Sequence, residues 1–351
     1  MELIAEKAKN HFKQSLPFVL FCKPNSDKVV GLFQKNDSLF ETTNFTEKGF
    51  VFASFDGNKT VLIPEEESDI LFGVIQQKEI DIQEKHLNFQ DESVKRNFEI
   101  LVNKGIEAIK NNQFQKVVLS RKESIDVENF DLIEAFYNLV QLYPNTFVYC
   151  FYHPKVGTWL GATPEQLFKA KDNFFNTIAL AGTQKDSGSD DVYWPKKEQE
   201  EQQFVTDYIV EKIKDIASEI TVSKPYSIKA GSVWHIKTDI SGTLSLGFGL
   251  KKIIQLLHPT PAVCGLPKQQ SKEFILLNEN YNRTFYTGFL GELNVEGQTD
   301  FFVNLRCMEI KDFQAHLFMG CGITKDSIPE KEWEESINKS ATMKKILNCI
   351  I

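Results

Sequence analysis

The sequence predicts an α+β fold, built as a single intertwined domain over residues 1–351, and three observations carry that expectation. Short apolar runs bounded by turn residues come in groups, while helical periodicity is confined to separate, longer stretches; strands in runs followed by helices are the mark of the α+β class. No internal repeat and no linker divides the 351 residues, although at ~150 residues per domain the length alone would allow two. A content of 42% hydrophobic and 25% charged residues is that of an ordinary globular protein and excludes disordered, collagen-like and low-complexity classes.

In chain order, Phe18–Cys22, Val29–Phe33, Phe50–Phe55 and Thr60–Ile63 are short apolar-rich runs separated by Asn, Asp, Gly and Pro, so residues 1–90 read as a β-rich layer. Asp91 offers an N-cap to a helix carrying Val94, Phe98, Leu101, Ile106 and Ile109, which Asn111 and Asn112 stop. Lys116–Arg121 follows as a strand. Phe147–Tyr152 and Thr158–Gly161 form an expected hairpin, and Phe174–Ala181 a further strand. The polar stretch Gln184–Asp191 is either a plain connector or a lid that orders over a site. Val205, Ile209, Ile213 and Ile216 have the spacing of an amphipathic helix whose first turns are acidic. Helices are expected at Gly247–Leu257 and Gln269–Asn278, and strands at Thr284–Leu293, Asp300–Ile310 and Phe313–Gly320. A closing helix runs from Pro329 to about Leu347, with proline at its start.

A formal charge of -8 and a pI near 5.5 argue against a nucleic-acid partner, so any anionic ligand must be held by a local site. The positive charge is nearly all lysine. Only Arg96, Arg121, Arg283 and Arg306 are arginines, which draws attention to any arginine inside a motif. No apolar run approaches the ~20 residues needed to cross a bilayer, and the start MELIAEKAKNHF lacks a charged-then-apolar leader; no membrane partner and a cytoplasmic location are expected. The six cysteines are scattered without a CxxC pair, which suits reduced, buried thiols.

There is no GxxxxGK[ST], no GxGxxG after a strand, no GxSxG and no HExxH, so nucleotide-binding, serine-hydrolase and zinc-protease chemistry lose their usual support. The six histidines are too dispersed to propose a metal cluster. More informative are two acidic helix starts. Glu198 and Glu201 are three apart in one, Glu332 and Glu335 three apart in the other, and each pair projects from one helical face. Two such faces opposed could cage a hard divalent cation such as Mg²⁺, which takes oxygen ligands and keeps several waters; solvated acidic first turns, favoured by the helix dipole, give the same spacing. Lys116 sits in an apolar strand on the face of Val118 and Ser120, where a desolvated lysine could act as a base and a gatekeeper lysine on an edge strand would look alike. Gly320-Cys321-Gly322 ends a strand; its glycines could bring backbone N–H groups to a carboxylate, or simply make a tight turn.

Taken together and in order, the motifs FQKVVLSR (114–121), GATPEQLF (161–168), ALAGT (179–183), KEQEEQQFV (197–205), HIKTDISG (235–242), LHPTPAVCGLPK (257–268), FYTGFLGE (285–292), VNLRC (303–307), GCGI (320–323) and EWEESINK (332–339) resemble the chorismate-utilising enzymes. That family includes isochorismate synthase, salicylate synthase, anthranilate synthase component I and aminodeoxychorismate synthase. The resemblance covers residues 95–347, a chorismate-binding catalytic part, and leaves 1–90 as a divergent N-terminal part. It implies two large antiparallel sheets packed as a sandwich with surrounding helices.

The resemblance also implies roles. Glu201 and Glu335 match the direct Mg²⁺ ligands, with Glu198 and Glu332 behind them. Arg306, Tyr286 and the backbone of Gly320 and Gly322 match the holder of the enolpyruvyl carboxylate, and Gly182, Thr183 and Lys339 face the ring carboxylate. An arginine fork suits a carboxylate well. His235 matches a ring-side residue and Glu165 the general acid.

Two positions bear on the subfamily. Members that deliver ammonia generally carry glutamine where this chain has Lys116, the water-adding members carry lysine there as general base, and aminodeoxychorismate synthases carry lysine where this chain has Ala181. The expectation is therefore a Mg²⁺-dependent isochorismate synthase acting on chorismate, serving menaquinone or siderophore synthesis, as a monomer without an amidotransferase subunit. Salicylate synthase, anthranilate synthase component I and a catalytically silent binding protein on the same scaffold are the alternatives. Gln202 departs from the histidine often found after the first metal glutamate, and Gln184-Lys185 from an arginine-rich continuation.

Overall fold

The computed structural model describes every residue except 77–91, 129, 187, 189–191, 231–232, 246, 248 and 351. Asp91, expected as an N-cap, and half of the Gln184–Asp191 stretch thus lie outside the described residues.

The chain opens with α1 (Glu2–Lys13), β1 (Phe18–Cys22), β2 (Lys28–Gln34), β3 (Phe40–Glu41), β4 (Gly49–Ala53), β5 (Thr60–Pro64) and β6 (Ser68–Val74). It continues through α2 (Glu92–Lys110), β7 (Lys116–Asp126), α3 (Leu132–Leu142), β8 (Phe147–His153), β9 (Gly157–Thr163), β10 (Gln166–Lys171) and β11 (Phe174–Lys185). Then come α4 (Lys196–Ile213), β12 (Ala217–Val222), β13 (Tyr226–Ala230), β14 (Val233–Leu244), α5 (Leu250–Leu257), β15 (Gly265–Leu266) and α6 (Lys268–Asn278). The chain closes with β16 (Phe289–Val295), β17 (Gln298–Val303), β18 (Cys307–Lys311), β19 (Gln314–Ile323) and α7 (Pro329–Ile350).

Among the described residues these strands form two antiparallel sheets. The nine-stranded one runs β15-β7-β19-β18-β9-β8-β1-β2-β6; the ten-stranded one runs β12-β14-β11-β10-β17-β16-β4-β5-β3, with β13 also on β14. Strands of the first 74 residues pair with strands from beyond residue 146 in both sheets.

β1 shows why the sheets stack. Its sequence FVLFC is buried at every position: Val19 and Phe21 face the other sheet, while Phe18, Leu20 and Cys22 face the helices. A strand covered on both sides has no polar face to display. The layer between the sheets is aromatic, with Phe52 stacked on Phe285 (4.3 Å between centroids) and Phe147 on Phe302 (4.3 Å). Helices α1, α3 and α7 cover the outer face of the nine-stranded sheet, α4 and α5 that of the ten-stranded sheet, and α2 and α6 flank β7.

Four expected elements need correction. The expected strand Thr284–Leu293 begins only at Phe289, because Thr284 and Thr287 hold left-handed backbone (φ 49° and 60°) and turn the chain. Asp300–Ile310 is two strands in different sheets, interrupted where Arg306 takes φ 47°. Ile216 lies past the end of α4, and the helix expected from Gly247 starts at Leu250.

Candidate active site

One open pocket, enclosing about 970 Å³ including solvent at its mouth, gathers all fourteen residues that the sequence singled out. Lys116, Glu165, Gly182, Thr183, Glu198, Glu201, His235, Tyr286, Arg306, Gly320, Gly322, Glu332, Glu335 and Lys339 all line it. They come from both sheets and from two helices separated widely in sequence.

The pocket floor is made where two neighbouring strands change sheets side by side. β9 passes into β10 through Thr163, Pro164 and Glu165, and β17 passes into β18 through Asn304, Leu305 and Arg306. Pairing persists across the bend: Gln166 opposes Phe302 on one side and Gly161 opposes Cys307 on the other. Within the bend, Val303 N donates to the Glu165 carbonyl at 2.9 Å, Ala162 N to the Arg306 carbonyl at 3.0 Å, and the Thr163 hydroxyl to the Val303 carbonyl at 2.6 Å. Corners of this kind let strands of one sheet continue into another. Here the corner presents a carboxyl and a guanidinium to the same cavity.

Among the described residues the Glu165 carboxyl has no hydrogen-bond or ion-pair partner. Burial pushes its pKa up to about 7, against the smaller opposing pull of the Lys116 and Lys339 charges. The Arg306 guanidinium donates to the Lys339 carbonyl at 3.0 Å and has no carboxylate in ion-pair reach among the described residues. The Tyr286 ring stacks on Phe318 at 5.3 Å, and its buried hydroxyl lies so close to β19 that a side chain at Gly320 would meet it at 2.8 Å. An unpaired guanidinium beside a free hydroxyl is a receptor for an external carboxylate.

Lys116 enters from β7, paired with β15 at Leu266. It lies on the Val118 face, as strand alternation requires. Its Nζ donates to Glu201 Oε1 at 2.6 Å, with side-chain exposures of 4% and 15%. Gly322, across the ladder from Val118, leaves room for this pair: a Cβ there would sit 3.0 Å from Glu201 Oε1 and 3.2 Å from Lys116 Cε.

Lys339 mirrors the arrangement on α7, donating to Glu335 Oε1 and to the Gly320 carbonyl, each at 2.6–2.7 Å. Burial works to raise the Glu335 pKa, but the ammonium beside it outweighs that and the net direction is down. Burial, then repulsion from Glu335, pushes Glu332 up to about 7; burial, then Glu201, raises Glu198. Four carboxylates from the starts of α4 and α7 thus face one mouth. Oxygen donors of this kind fit a hard cation. The two glutamates matched to direct ligands are each held by a lysine, and one of them, Glu335, also groups with Glu332 and Cys321, their donor atoms within 4.8 Å of one another.

Gly182 is a bulge in the β11–β14 ladder. Ala181 opposes Ile236 and Thr183 opposes His235, leaving Gly182 unpaired at φ 70°, where a Cβ would be strained and would sit 3.3 Å from the Glu198 carbonyl oxygen in the first turn of α4. The bulge aims its carbonyl at His235, whose Nδ1–H donates to it at 2.9 Å and leaves Nε2 as an acceptor. Burial, against the opposing effect of that bond and together with nearby Arg306 and Lys339, pushes His235 down to about 4, so the ring is neutral at neutral pH.

Sequence reasoning passed over Lys197, an exposed lysine at the pocket mouth one residue before Glu198, and the apolar wall of Val263, Leu305 and Phe318. Lys197 lies inside a quoted motif and could have been found there; the wall residues carry no local signal. Gln202 points away from the pocket, its amide donating to Thr206 and Thr238 hydroxyls at 3.0 and 2.8 Å. Of the Gln184–Asp191 stretch, Asp186 is described: it accepts from Lys229 at 2.5 Å and from the Trp234 indole at 3.1 Å.

Isochorismate synthase EntC of Escherichia coli (strain K12) is 32% identical over 259 residues, covering 70% of this chain and 66% of that protein. Isochorismate synthase MenF of Pasteurella multocida is 31% identical over 264 residues, covering 70% and 60%. The matched region thus spans less than two thirds of either curated relative. The solved structure of DhbC from Bacillus anthracis superposes with a TM-score of 0.80 at 22% identity, covering 98% of this chain and 100% of that one, and so shares its two-sheet fold. A family profile described as chorismate binding enzyme matches residues 52–348, and with the motifs, the shared fold and these relatives it establishes that the chain belongs to the chorismate-binding enzyme family.

Proposed function

We propose that this chain is a Mg²⁺-dependent isochorismate synthase, converting chorismate to isochorismate by adding water at C2 with loss of the C4 hydroxyl. The observation that carries the proposal is the placement of Lys116 and Glu165 in one pocket with Arg306 and the two glutamate pairs. Lysine at 116 and alanine at 181, both lining that pocket, favour water over ammonia as nucleophile. The relatives named isochorismate synthase lend support from sequence.

In this mechanism Arg306 and the Tyr286 hydroxyl bind the enolpyruvyl carboxylate, while Lys339, Thr183 and the Gly182 bulge face the ring carboxylate. His235, kept neutral, packs at the ring without adding charge. Lys116 acts as the base that takes a proton from water as the water oxygen bonds to C2; the ring double bonds shift, the C4–O bond breaks, and Glu165 gives its proton to the departing hydroxide. One water enters and one leaves, so atoms balance as an isomerisation. Glu201 and Glu335 would hold Mg²⁺ directly, with Glu198 and Glu332 acting through water, and the cation would neutralise and orient the ring carboxylate.

Purified protein incubated with chorismate and Mg²⁺, with product identification, tests the proposal. Isochorismate as sole product is expected. Salicylate with pyruvate would assign the chain to the eliminating relatives, and no turnover would leave it a binding protein.

A further inference from the structure

We infer that the buried Glu279–Arg283 pair, which lines no part of the pocket, is a positioning device for the proposed substrate site: it locks the turn carrying Tyr286 against two other pocket walls. The inference rests on the functional proposal above for its substrate, but its geometry is independent of it. Both side chains are nearly inaccessible, at 2% exposed for Arg283 and 1% for Glu279.

The guanidinium is spent entirely inside the protein. It donates to both Glu279 oxygens at 2.6 and 2.8 Å, to the Val118 carbonyl at 2.7 Å, to the Val263 carbonyl at 2.9 Å and to the Thr287 hydroxyl at 3.3 Å. Val118, Val263 and Thr287 each line the pocket, and each comes from a different segment. Glu279 completes the tie by accepting from Ser120 N and Oγ at 2.7 and 2.8 Å. A planar fork with five donors can join three segments in this way, two through carbonyls and one through a hydroxyl; a lysine cannot.

The turn itself needs holding. Thr287 is β-branched yet sits at φ 60°, a conformation that such residues adopt only when their surroundings enforce it. Its hydroxyl donates to the Tyr286 carbonyl at 2.6 Å while accepting from Arg283, and its N–H donates to the Asn304 carbonyl at 2.8 Å, two residues from Arg306. Tyr286 N in turn donates to the Arg283 carbonyl at 2.9 Å. The direction of the Tyr286 hydroxyl relative to Arg306 is therefore set by Arg283. Lys116 is fixed by other bonds, through its β15 pairing and the Ser271 hydroxyl on its carbonyl at 2.9 Å. Loss of the fork should consequently weaken substrate binding more than the chemical step.

The test is Arg283→Lys in the full chain, assayed well below its unfolding temperature. The expected result is a KM for chorismate raised about tenfold with kcat changed by less than about threefold, and faster amide exchange in the peptide spanning residues 284–290 without substrate. A pair that only stabilises the fold would lower Tm and speed exchange across the chain while leaving KM unmoved; KM within about twofold of wild type, or exchange at 284–290 raised no more than elsewhere, overturns the inference. Should Arg283→Lys not fold, Thr287→Val removes the hydroxyl that links the fork to the turn at nearly constant volume, and the same two readouts decide. Wild-type turnover is measured alongside. If wild type makes no isochorismate, the functional proposal fails, while the exchange comparison still decides the positioning role.

Discussion

Lys116 and Glu201, 85 residues apart, meet at 2.6 Å, so the candidate base and a candidate metal ligand are in direct contact. Base and metal site are therefore coupled through a single side chain, which gives substitutions on either side two readouts.

Lys116→Ala is expected to reduce kcat by ~10²–10⁴ with a smaller change in KM, the usual contribution of a positioned base. Because it also frees Glu201, the variant should bind Mg²⁺ more tightly by calorimetry. A near-normal hydration rate in this variant would place water activation elsewhere and remove the chief reason for preferring water over ammonia.

Glu201→Gln and Glu335→Gln each remove a charged oxygen donor and should abolish Mg²⁺-dependent turnover while leaving far-UV circular dichroism unchanged. Wild-type activity at limiting Mg²⁺ in either variant would refute the ligand assignment.

Glu165 makes a prediction about pH. Its carboxyl ionises near the ordinary 4.5 when unfolded and near about 7 when buried in the pocket, so the acid form needed to protonate the leaving hydroxyl is lost as pH rises through about 7. The basic limb of the kcat profile should disappear in Glu165→Ala, together with ~10²–10⁴ of the rate. Folding favours the protonated carboxyl, so its contribution to stability is whole below about 4.5 and declines as pH climbs to about 7. Melting curves across that interval should show a smaller decline in Glu165→Gln than in wild type, the remainder coming from Glu332 and Glu198, whose carboxyls burial also raises.

Gly322→Ala places a methyl 3.0 Å from Glu201 Oε1 and 3.2 Å from Lys116 Cε. The strand can carry alanine, but the ion pair must move. The expected outcome is a folded protein with kcat reduced at least about tenfold, since small misplacements of reacting groups are costly. Near wild-type kinetics would show that the pair's position is not critical.

How legible this arrangement is in the chain differs from element to element. The two-sheet fold follows from motif order, which the resemblance to a known family turns into topology. The sheet-switching corner is hidden: residues 300–310 read DFFVNLRCMEI, apolar enough to look like one continuous strand, and only the positive φ of Arg306 marks the change. Thr284–Leu293 has strand-like composition, yet its two threonines turn, Thr287 held by Arg283 and Asn304 and Thr284 donating its N–H to the Asn282 side chain. By contrast β14 carries a clear alternation, with Ile236, Thr238, Ile240, Gly242 and Leu244 inward, and α3 has an Asp131 cap accepting from Ile133 and Glu134 N–H groups at 3.0 Å. Those signals are in the chain, although neither element is among those expected from the sequence. The Lys116–Glu201 contact had none, because pairing across 85 residues is decided by the fold.

Because Glu165 and Arg306 sit on adjacent strands stitched together through their shared bend, neither can slide along its strand alone. A one-residue insertion in either crossing would flip side-chain alternation beyond it and swap which residues look into the cavity. Length variation should therefore be poorly tolerated at 163–166 and 304–306 and better tolerated in the hairpin tip at 154–156, on the far end of β9. The spacing between proton donor and anion receptor is in this sense indexed by the ladder itself, like teeth on two meshed racks, rather than adjustable through a loop.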